Sequence, residues 1–123
     1  MTSHVSLSDE AVSGDTQLLR ARGELDLYAA PELKRRIAEA IEGGKTRIVV
    51  DLTDAAFMDS TALGVLIGAL KRLRLRDGAL AVASDQPSIL RILEITGMDQ
   101  VLLVEPTAEL ALAAVSQPPG ANG

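Results

Sequence analysis

The chain has 123 residues, of which 47% are hydrophobic, and a formal net charge of −5 at pH 7. This length suits one ordinary domain with a single core, so a second domain is not expected. The acidic charge opposes binding to nucleic acid, which requires a positive field along the phosphate backbone. Without cysteine the chain can form neither disulfides nor thiolate metal sites, which suits a reducing compartment.

No segment of the sequence is typical of export or of membrane insertion. The first ten residues lack a basic region followed by an apolar block, so no secretory signal is predicted. The longest nearly apolar run, residues 62–70, is much shorter than the roughly 20 residues that span a bilayer. We therefore expect a cytoplasmic protein without membrane contact. Its core must be aliphatic, because Tyr28 and Phe57 are the only aromatic residues.

The first half of the chain predicts a hairpin, a helix and a buried strand, in that order. Val5 and Leu7 alternate with polar neighbours, and after a turn signal the alternation resumes over residues 17–23. A helical stripe follows, formed by Leu33, Ile37, Ala40 and Ile41 between Pro31 and the stop signal Gly43-Gly44. Residues 47–51 contain a short β-branched run, which predicts a central strand covered on both faces.

The second half predicts three more helices with short strands between them. Residues 60–76 form an apolar helical face with a basic end. Residues 79–83 and 101–104 are predicted strands. The helix between them begins at Pro87 and is closed by Gly97 as its C′ residue, and Thr107 is suited to cap the last helix. The residues expected to face inward on these helices are Leu63, Leu66, Ile67, Leu70 and Leu73, then Ile89, Leu90, Ile92, Leu93 and Ile95, then Leu110, Ala111, Ala114 and Val115.

This order of elements predicts an α/β fold. A mostly parallel five-stranded sheet with an opening antiparallel hairpin and about four helices accommodates it. So few helices leave one face of the sheet less covered than the other, with room for a partner. The domain is expected to span residues 1–116, followed by a flexible tail over residues 117–123.

Catalytic, nucleotide and metal sites are not predicted. The sole histidine, His4, lies close to the N-terminus, so a Ser-His-acid triad lacks its base. A Walker site is not predicted, because Gly44-Lys45-Thr46 is preceded by Glu39 at the position where that pattern requires its first glycine. Asp51, Asp54 and Asp59 are close in sequence, but we expect solvated loop acids rather than metal ligands. The chain is therefore expected to be neither an enzyme nor a cofactor-binding protein.

Three residues that can cap a helix, Asp59, Ser60 and Thr61, stand together at the start of the second predicted helix. One cap suffices, so the surplus hydroxyl groups indicate a further role. A phosphoryl group there would add roughly −1.5 to −2 charges at a helix N-terminus, where an anion is tolerated. Such a modification would change the surface that a partner meets without unfolding the helix.

A binding face is predicted beside these hydroxyl groups. Gly64, Val65 and Gly68 occupy the outward side of the same helix, where charged side chains are normal on a solvated surface. The alternative is structural. The glycines would then allow close approach of a neighbouring helix, and a loop would cover Val65.

Three stretches resemble the STAS domain of bacterial anti-sigma factor antagonists, also called anti-anti-sigma factors. They are GELDLYAAPEL (residues 23–33), VVDLTDAAFMDSTALGVL (residues 49–66) and LRILEITGM (residues 90–98), and the similarity covers nearly the whole chain. The resemblance implies a protein that frees a sigma factor by binding an anti-sigma factor, which is itself a serine kinase with a histidine-kinase-like ATPase fold. It also implies a PP2C-type phosphatase that removes the phosphate added by this kinase.

The resemblance also implies roles for particular residues. By position, Ser60 is the phosphoacceptor, Thr61 the alternative acceptor, Asp59 the adjoining acid and Asp26 a second acid near the site. Many members of the family carry glycine where this chain has Ala62. Alanine stiffens the first turn of a helix, which would slow phosphorylation if the kinase must deform that turn.

Two other interpretations keep the same fold. The chain could be a STAS subunit of a lipid-transport ATPase or of a stress-sensing assembly, where phosphorylation is not required. It could also bind a nucleotide itself, although no residue pattern supports this. Each interpretation is compatible with a homodimer.

Overall fold

The computed structural model of the chain describes residues 5–116, which form five strands and four α-helices. The strands are β1 (Ser6–Ala11), β2 (Thr16–Leu25), β3 (Arg47–Met58), β4 (Ala79–Ala83) and β5 (Leu103–Glu105). The helices are α1 (Ala30–Glu42), α2 (Ser60–Arg74), α3 (Pro87–Ile95) and α4 (Ala108–Val115), with a 3-10 helix at Met98–Gln100. His4 and the predicted tail over residues 117–123 lie outside the described residues. Within residues 5–116, no helix has both the length and the hydropathy needed to cross a bilayer.

The strands form one sheet in the order β1-β2-β3-β4-β5. β1 is antiparallel to β2, and the remaining neighbours are parallel. This confirms the predicted α/β fold with its opening hairpin. Because successive parallel strands are joined by crossovers of the same hand, their connecting helices lie on one face of the sheet.

The two faces of the sheet are covered unequally, as predicted. Side chains of α1, α2 and α3 pack on one face in a large aliphatic core, which includes Leu19, Val50 and Leu66. On the other face only α4 packs, over a small cluster of buried residues that contains Val49 and Val115. Because α4 covers the β3 and β4 side, the β1 and β2 side of this face carries exposed polar groups instead.

β5 begins at Leu103 rather than at residue 101, because Val101 caps the preceding 3-10 helix. Two further element boundaries differ from the sequence-based prediction. β3 continues to Met58 rather than ending at Asp51. Its pairing with β2 continues through two register shifts, at each of which β3 contains one residue more than β2. Such irregular pairing interrupts the alternation from which a strand is predicted. At the other boundary, α2 ends at Arg74 instead of residue 76, because Asp77 adopts a positive φ of 55° and the Gly78 amide bonds the Leu73 carbonyl.

The predicted inward positions of Leu90, Ile95 and Leu110 are wrong, because all three side chains are exposed. Ile95, the last residue of α3, is 70% exposed, and only Ile89 and Leu93 of this helix are buried. Leu110 is about half exposed because α4 buries Ala111 and Val115 alone. In both helices fewer residues are buried than the number of apolar residues predicted, so the apolar pattern overestimates the buried face of the helix.

The prediction that Asp51 is a solvated loop acid is also wrong, because Asp51 is a buried residue of β3. Its carboxylate accepts hydrogen bonds from the amide and hydroxyl of Thr53, at 3.0 and 2.7 Å, and lies 3.5 Å from the guanidinium of Arg20. Asp54, also in β3, is exposed and pairs with Arg22 at 3.4 Å. The part of the chain that the structure describes contains no group of three or more histidine or acidic residues suited to hold a metal ion.

Candidate partner-binding site

The two acids of the sequence motif lie side by side where β2 and β3 end. Leu25 pairs with Met58 across these strands, and Asp26 and Asp59 are the residues that follow. The amide of Asp59 donates a hydrogen bond to the carbonyl of Leu25 at 3.0 Å, which holds the two turns together. Both turns lead into helices, so this edge of the sheet joins the N-terminal ends of α1 and α2.

Asp59 caps α2, and neither hydroxyl residue is needed for that purpose. The Asp59 carboxylate accepts a hydrogen bond from the Ala62 amide at 3.0 Å, and its carbonyl accepts one from the Leu63 amide. Ser60 and Thr61 are exposed in the first turn, and their hydroxyl groups form no hydrogen bond with residues 5–116. The helix start therefore depends on the acid and leaves both hydroxyl groups available to solvent.

The N-terminal turn of α2 provides a favourable environment for an anion. The backbone amides of Ser60 and Thr61 have no acceptor within the described chain. Such amides, with the aligned peptide dipoles behind them, give the start of a helix a partial positive charge. An anionic group at this position is therefore accommodated without opening the helix.

Asp26 shapes the turn between β2 and α1. Its Oδ1 atom accepts hydrogen bonds from the amides of Tyr28 and Ala29, at 3.0 and 3.2 Å, and its carbonyl accepts from the amides of Ala29 and Ala30. The second carboxylate oxygen makes no hydrogen bond in the described part of the chain. Asp26 thus combines a structural role with a free oxygen at the edge that also carries Ser60.

A groove of about 540 Å³ runs between α1 and α2, beginning beside the hydroxyl residues. Its α2 side is formed by Thr61, Gly64, Val65, Gly68, Ala69 and Arg72. The structure therefore brings four of the sequence-predicted partner-binding residues into one surface, which we call the α1–α2 groove. Leu27, Lys34 and Ile37 contribute to its α1 side.

The two glycines of the groove are not required by packing within this chain. A Cβ atom added to Gly64 or Gly68 would have no heavy atom of another element within 4 Å. The structural alternative, close approach of a neighbouring helix, is therefore wrong. Val65 is half-buried against the large core rather than under a loop. Glycine inside a helix costs about 1 kcal/mol relative to alanine, so neither packing nor helix propensity within the described residues accounts for these two glycines.

Sequence reasoning did not single out the two aromatic residues as part of the site. Tyr28 is 77% exposed and Phe57 is 44% exposed, although large aromatic side chains are usually buried. Each stands two residues from a motif acid, Tyr28 after Asp26 and Phe57 before Asp59. Exposed aromatic residues frequently anchor protein interfaces. This proximity in the sequence was the signal available to find them.

Replacement of Asp59 tests the assignment of the cap. We expect Asp59→Ala to lower the free energy of unfolding by about 1 kcal/mol, because the Ala62 amide loses its acceptor. Asp59→Asn keeps an acceptor oxygen and should lose clearly less. Urea denaturation of both variants and the wild type measures the difference. Wild-type stability in Asp59→Ala would show that a hydroxyl group takes over the cap.

A family model described as the STAS domain matches residues 9–111. The chain belongs to the STAS domain family. The match covers most of the chain, including β2, β3, α2 and the motif residues from Asp26 to Gly68. The predicted family and fold are thereby confirmed.

Individual STAS proteins agree with this assignment. The chain is 39% identical over 85 residues to the anti-sigma-B factor antagonist of Listeria monocytogenes, which is 68% of this chain and 73% of that protein. A crystal structure of an anti-sigma factor antagonist from Mycobacterium paratuberculosis matches with a TM-score of 0.83, 26% identity and coverage of 92% and 95% of the two chains. The Bacillus cell fate determinant SpoIIAA, solved in its phosphorylated form, matches with a TM-score of 0.72, 25% identity and coverage of 89% and 99%.

Proposed function

We propose that this STAS domain is an anti-sigma factor antagonist that is switched off by phosphorylation of Ser60, with Thr61 as the alternative acceptor. The observation that carries the proposal is the exposed Ser60 hydroxyl, which has no hydrogen bond within the described chain at a helix start already capped by Asp59. Similarity to the antagonist of Listeria monocytogenes and to phosphorylated SpoIIAA supports it. In this function the chain is a binding module and a kinase substrate, not an enzyme.

The proposed partner is an anti-sigma factor that is also a serine kinase with a histidine-kinase-like ATPase fold. The unphosphorylated chain binds it through the edge formed by Asp26, Asp59 and Thr61 and through the α1–α2 groove. This binding releases the sigma factor. A PP2C-type phosphatase then restores the binding form after phosphorylation.

The geometry explains how one phosphate could end binding without a change of fold. A phosphoryl group on Ser60 places roughly two negative charges beside the carboxylates of Asp59 and Asp26. The start of α2 accommodates these charges, so the domain remains folded. A partner that covered this edge with apolar groups would have to remove water from a concentrated anion, which is costly. The affinity therefore falls.

Copurification tests the function. Unmodified chain used as bait is expected to retain a soluble serine kinase with an ATPase domain, and Ser60→Asp bait is expected to lose it. Mass spectrometry of the retained proteins identifies the partner. A transporter ATPase retained equally by both baits would contradict the proposal and favour a structural STAS subunit.

The exposed aromatic residues give a second test of the same surface. We expect Tyr28→Ala and Phe57→Ala each to weaken binding of the kinase at least about tenfold, since aromatic anchors dominate interface energies. Leu75→Ala is the matched control, because Leu75 is 88% exposed but follows the opposite end of α2. Isothermal titration calorimetry measures all three. Equal affinities for Tyr28→Ala, Phe57→Ala and Leu75→Ala would exclude the aromatic residues from the interface.

A further inference from the structure

We propose that the α1–α2 groove receives a helix of the anti-sigma factor, which places acidic side chains against Lys34 and Arg72. The inference rests on the proposed function and names the chemistry of the partner segment. Three observations support this inference. They are the dimensions of the groove, the absence of side chains at Gly64 and Gly68, and the weakly paired cations that line the groove.

The shape of the α1–α2 groove suits a short helix. From Thr61 to Arg72 its α2 side spans eleven residue steps, or about 16 Å at the rise of an α-helix, which is three helical turns. Most of its lining is apolar, and the volume of about 540 Å³ is open to the surface. Gly64 and Gly68 lie one turn apart on this side, and nothing in the chain fills the space above them. An incoming helix can therefore pack its side chains against the α2 backbone, as ridges enter grooves between helices.

The charges of α1 are arranged so that one cation remains free on the groove. Glu32 accepts hydrogen bonds from Arg35 and from Arg36, and these bonds lower the pKa of Glu32 to about 2. Arg35 also binds Glu39. Lys34 lines the groove and forms no ion pair with residues 5–116.

Arg72 adds a second cation at the far end of the α1–α2 groove. Its only ion pair in the described chain, with Glu42, is long at 3.9 Å, and both side chains are exposed. In a protein of net charge −5, two weakly paired cations on one apolar groove select an acidic partner. The partner helix thus carries apolar residues at intervals of three and four and at least one Asp or Glu.

The two cations lie at different levels of the α1–α2 groove. α1 and α2 start at the same edge of the sheet, so Lys34, one turn into α1, lies near the Ser60 end, whereas Arg72 lies at the far end beside Glu42. The partner helix is therefore expected to carry acidic side chains at both levels rather than at one end.

Charge-reversal variants test the inference by titration calorimetry with the kinase recovered by copurification. Lys34→Glu and Arg72→Glu are each expected to weaken binding roughly tenfold, with a reduced dependence on salt. Lys71→Glu is the matched control, because Lys71 is an exposed cation of α2 that does not line the groove. It should change the affinity less than about twofold on the same scale. Equal losses in all three variants would indicate a general effect of charge and overturn the inference.

Crosslinking then identifies the occupant of the groove. The chain has no cysteine, so Leu27→Cys, at an exposed position of the groove lining, provides a unique thiol for a maleimide-linked benzophenone and leaves Gly64 and Gly68 without side chains. Crosslinked peptides are expected to derive from one kinase helix that contains Asp or Glu. Crosslinks to a kinase loop, to a second copy of this chain, or to a helix without acids would overturn the inference.

The two proposals fail in different ways. If the wild-type chain binds no kinase, the proposed function fails and the groove helix fails with it. If the kinase binds, Ser60→Asp abolishes binding and Lys34→Glu and Arg72→Glu bind normally, the function holds and the groove inference is wrong.

Discussion

Incubation with the cognate kinase and ATP is expected to add one phosphate to the wild-type chain and none to Ser60→Ala. Ser60 and Thr61 both present a hydroxyl to solvent at a helix start that accepts an anion, and Ser60 is the one that directly follows the motif acid Asp59, the position proposed for the acceptor. Intact-mass spectrometry measures the incorporation directly. Thr61→Ala is the matched control and should be phosphorylated fully. Full incorporation into Ser60→Ala would dismiss Ser60, and its loss in Thr61→Ala would assign the alternative acceptor.

The charge itself should then suffice to end binding. We expect Ser60→Asp to weaken affinity for the kinase at least about 100-fold, because a buried interface that leaves one charge unpaired loses several kcal/mol. Thr107→Asp is the control, since it adds the same charge at another helix start, the N-cap of α4 on the opposite face of the sheet. Calorimetry should give wild-type affinity for this control. Wild-type affinity for Ser60→Asp would refute the electrostatic switch.

One substitution, glycine to alanine, is expected to have opposite effects on stability at two positions of the chain. At Gly78 the new Cβ atom would lie 2.1 Å from the Thr46 carbonyl oxygen. That oxygen is held by a hydrogen bond from the Ala79 amide at 2.9 Å, so it cannot move aside without breaking the start of β4. We therefore expect Gly78→Ala to lower the free energy of unfolding by about 3 kcal/mol or more.

At Gly68 the added Cβ atom would have no heavy atom of another element within 4 Å. Gly68→Ala should raise the free energy of unfolding by about 1 kcal/mol, because alanine is the better helix former and the site is open. Urea denaturation of the two variants beside the wild type measures both shifts with one method. A loss of stability at Gly68 would mean that another part of the chain uses this space.

The fold was predictable where local patterns decide it. Thr107 caps α4 by accepting from the Leu110 amide, and Gly97 follows α3 with a positive φ of 75°, as their residue types predict. The extension of β3 to Met58 was not predictable, because it depends on irregular pairing with a distant strand. The burial of Asp51 likewise depends on Arg20, which the sheet brings to it.

The sequence was sufficient to single out the acids, the hydroxyl groups and the glycines of the candidate site. It did not indicate the α1 side of the groove, which includes Leu27, Lys34 and Ile37. Lys34 is one of six charged residues of α1, and the pairs that Arg35 and Arg36 form with Glu32 and Glu39 three or four positions away leave it without a partner in the described part of the chain. That Lys34 lines a groove is seen only when α1 packs beside α2. The capping function of Asp59 rather than Ser60 also required coordinates, because either residue type can fill the position.

Because the Asp59 carboxylate caps α2, the stability of the helix and the proposed modification depend on two different residues. Since Asp59 secures the helix, the neighbouring position can exchange serine for alanine or aspartate with little effect on folding. Under the proposed function, Ser60→Ala and Ser60→Asp should therefore accumulate in cells to normal levels, so their phenotypes would report on the proposed switch and not on protein turnover.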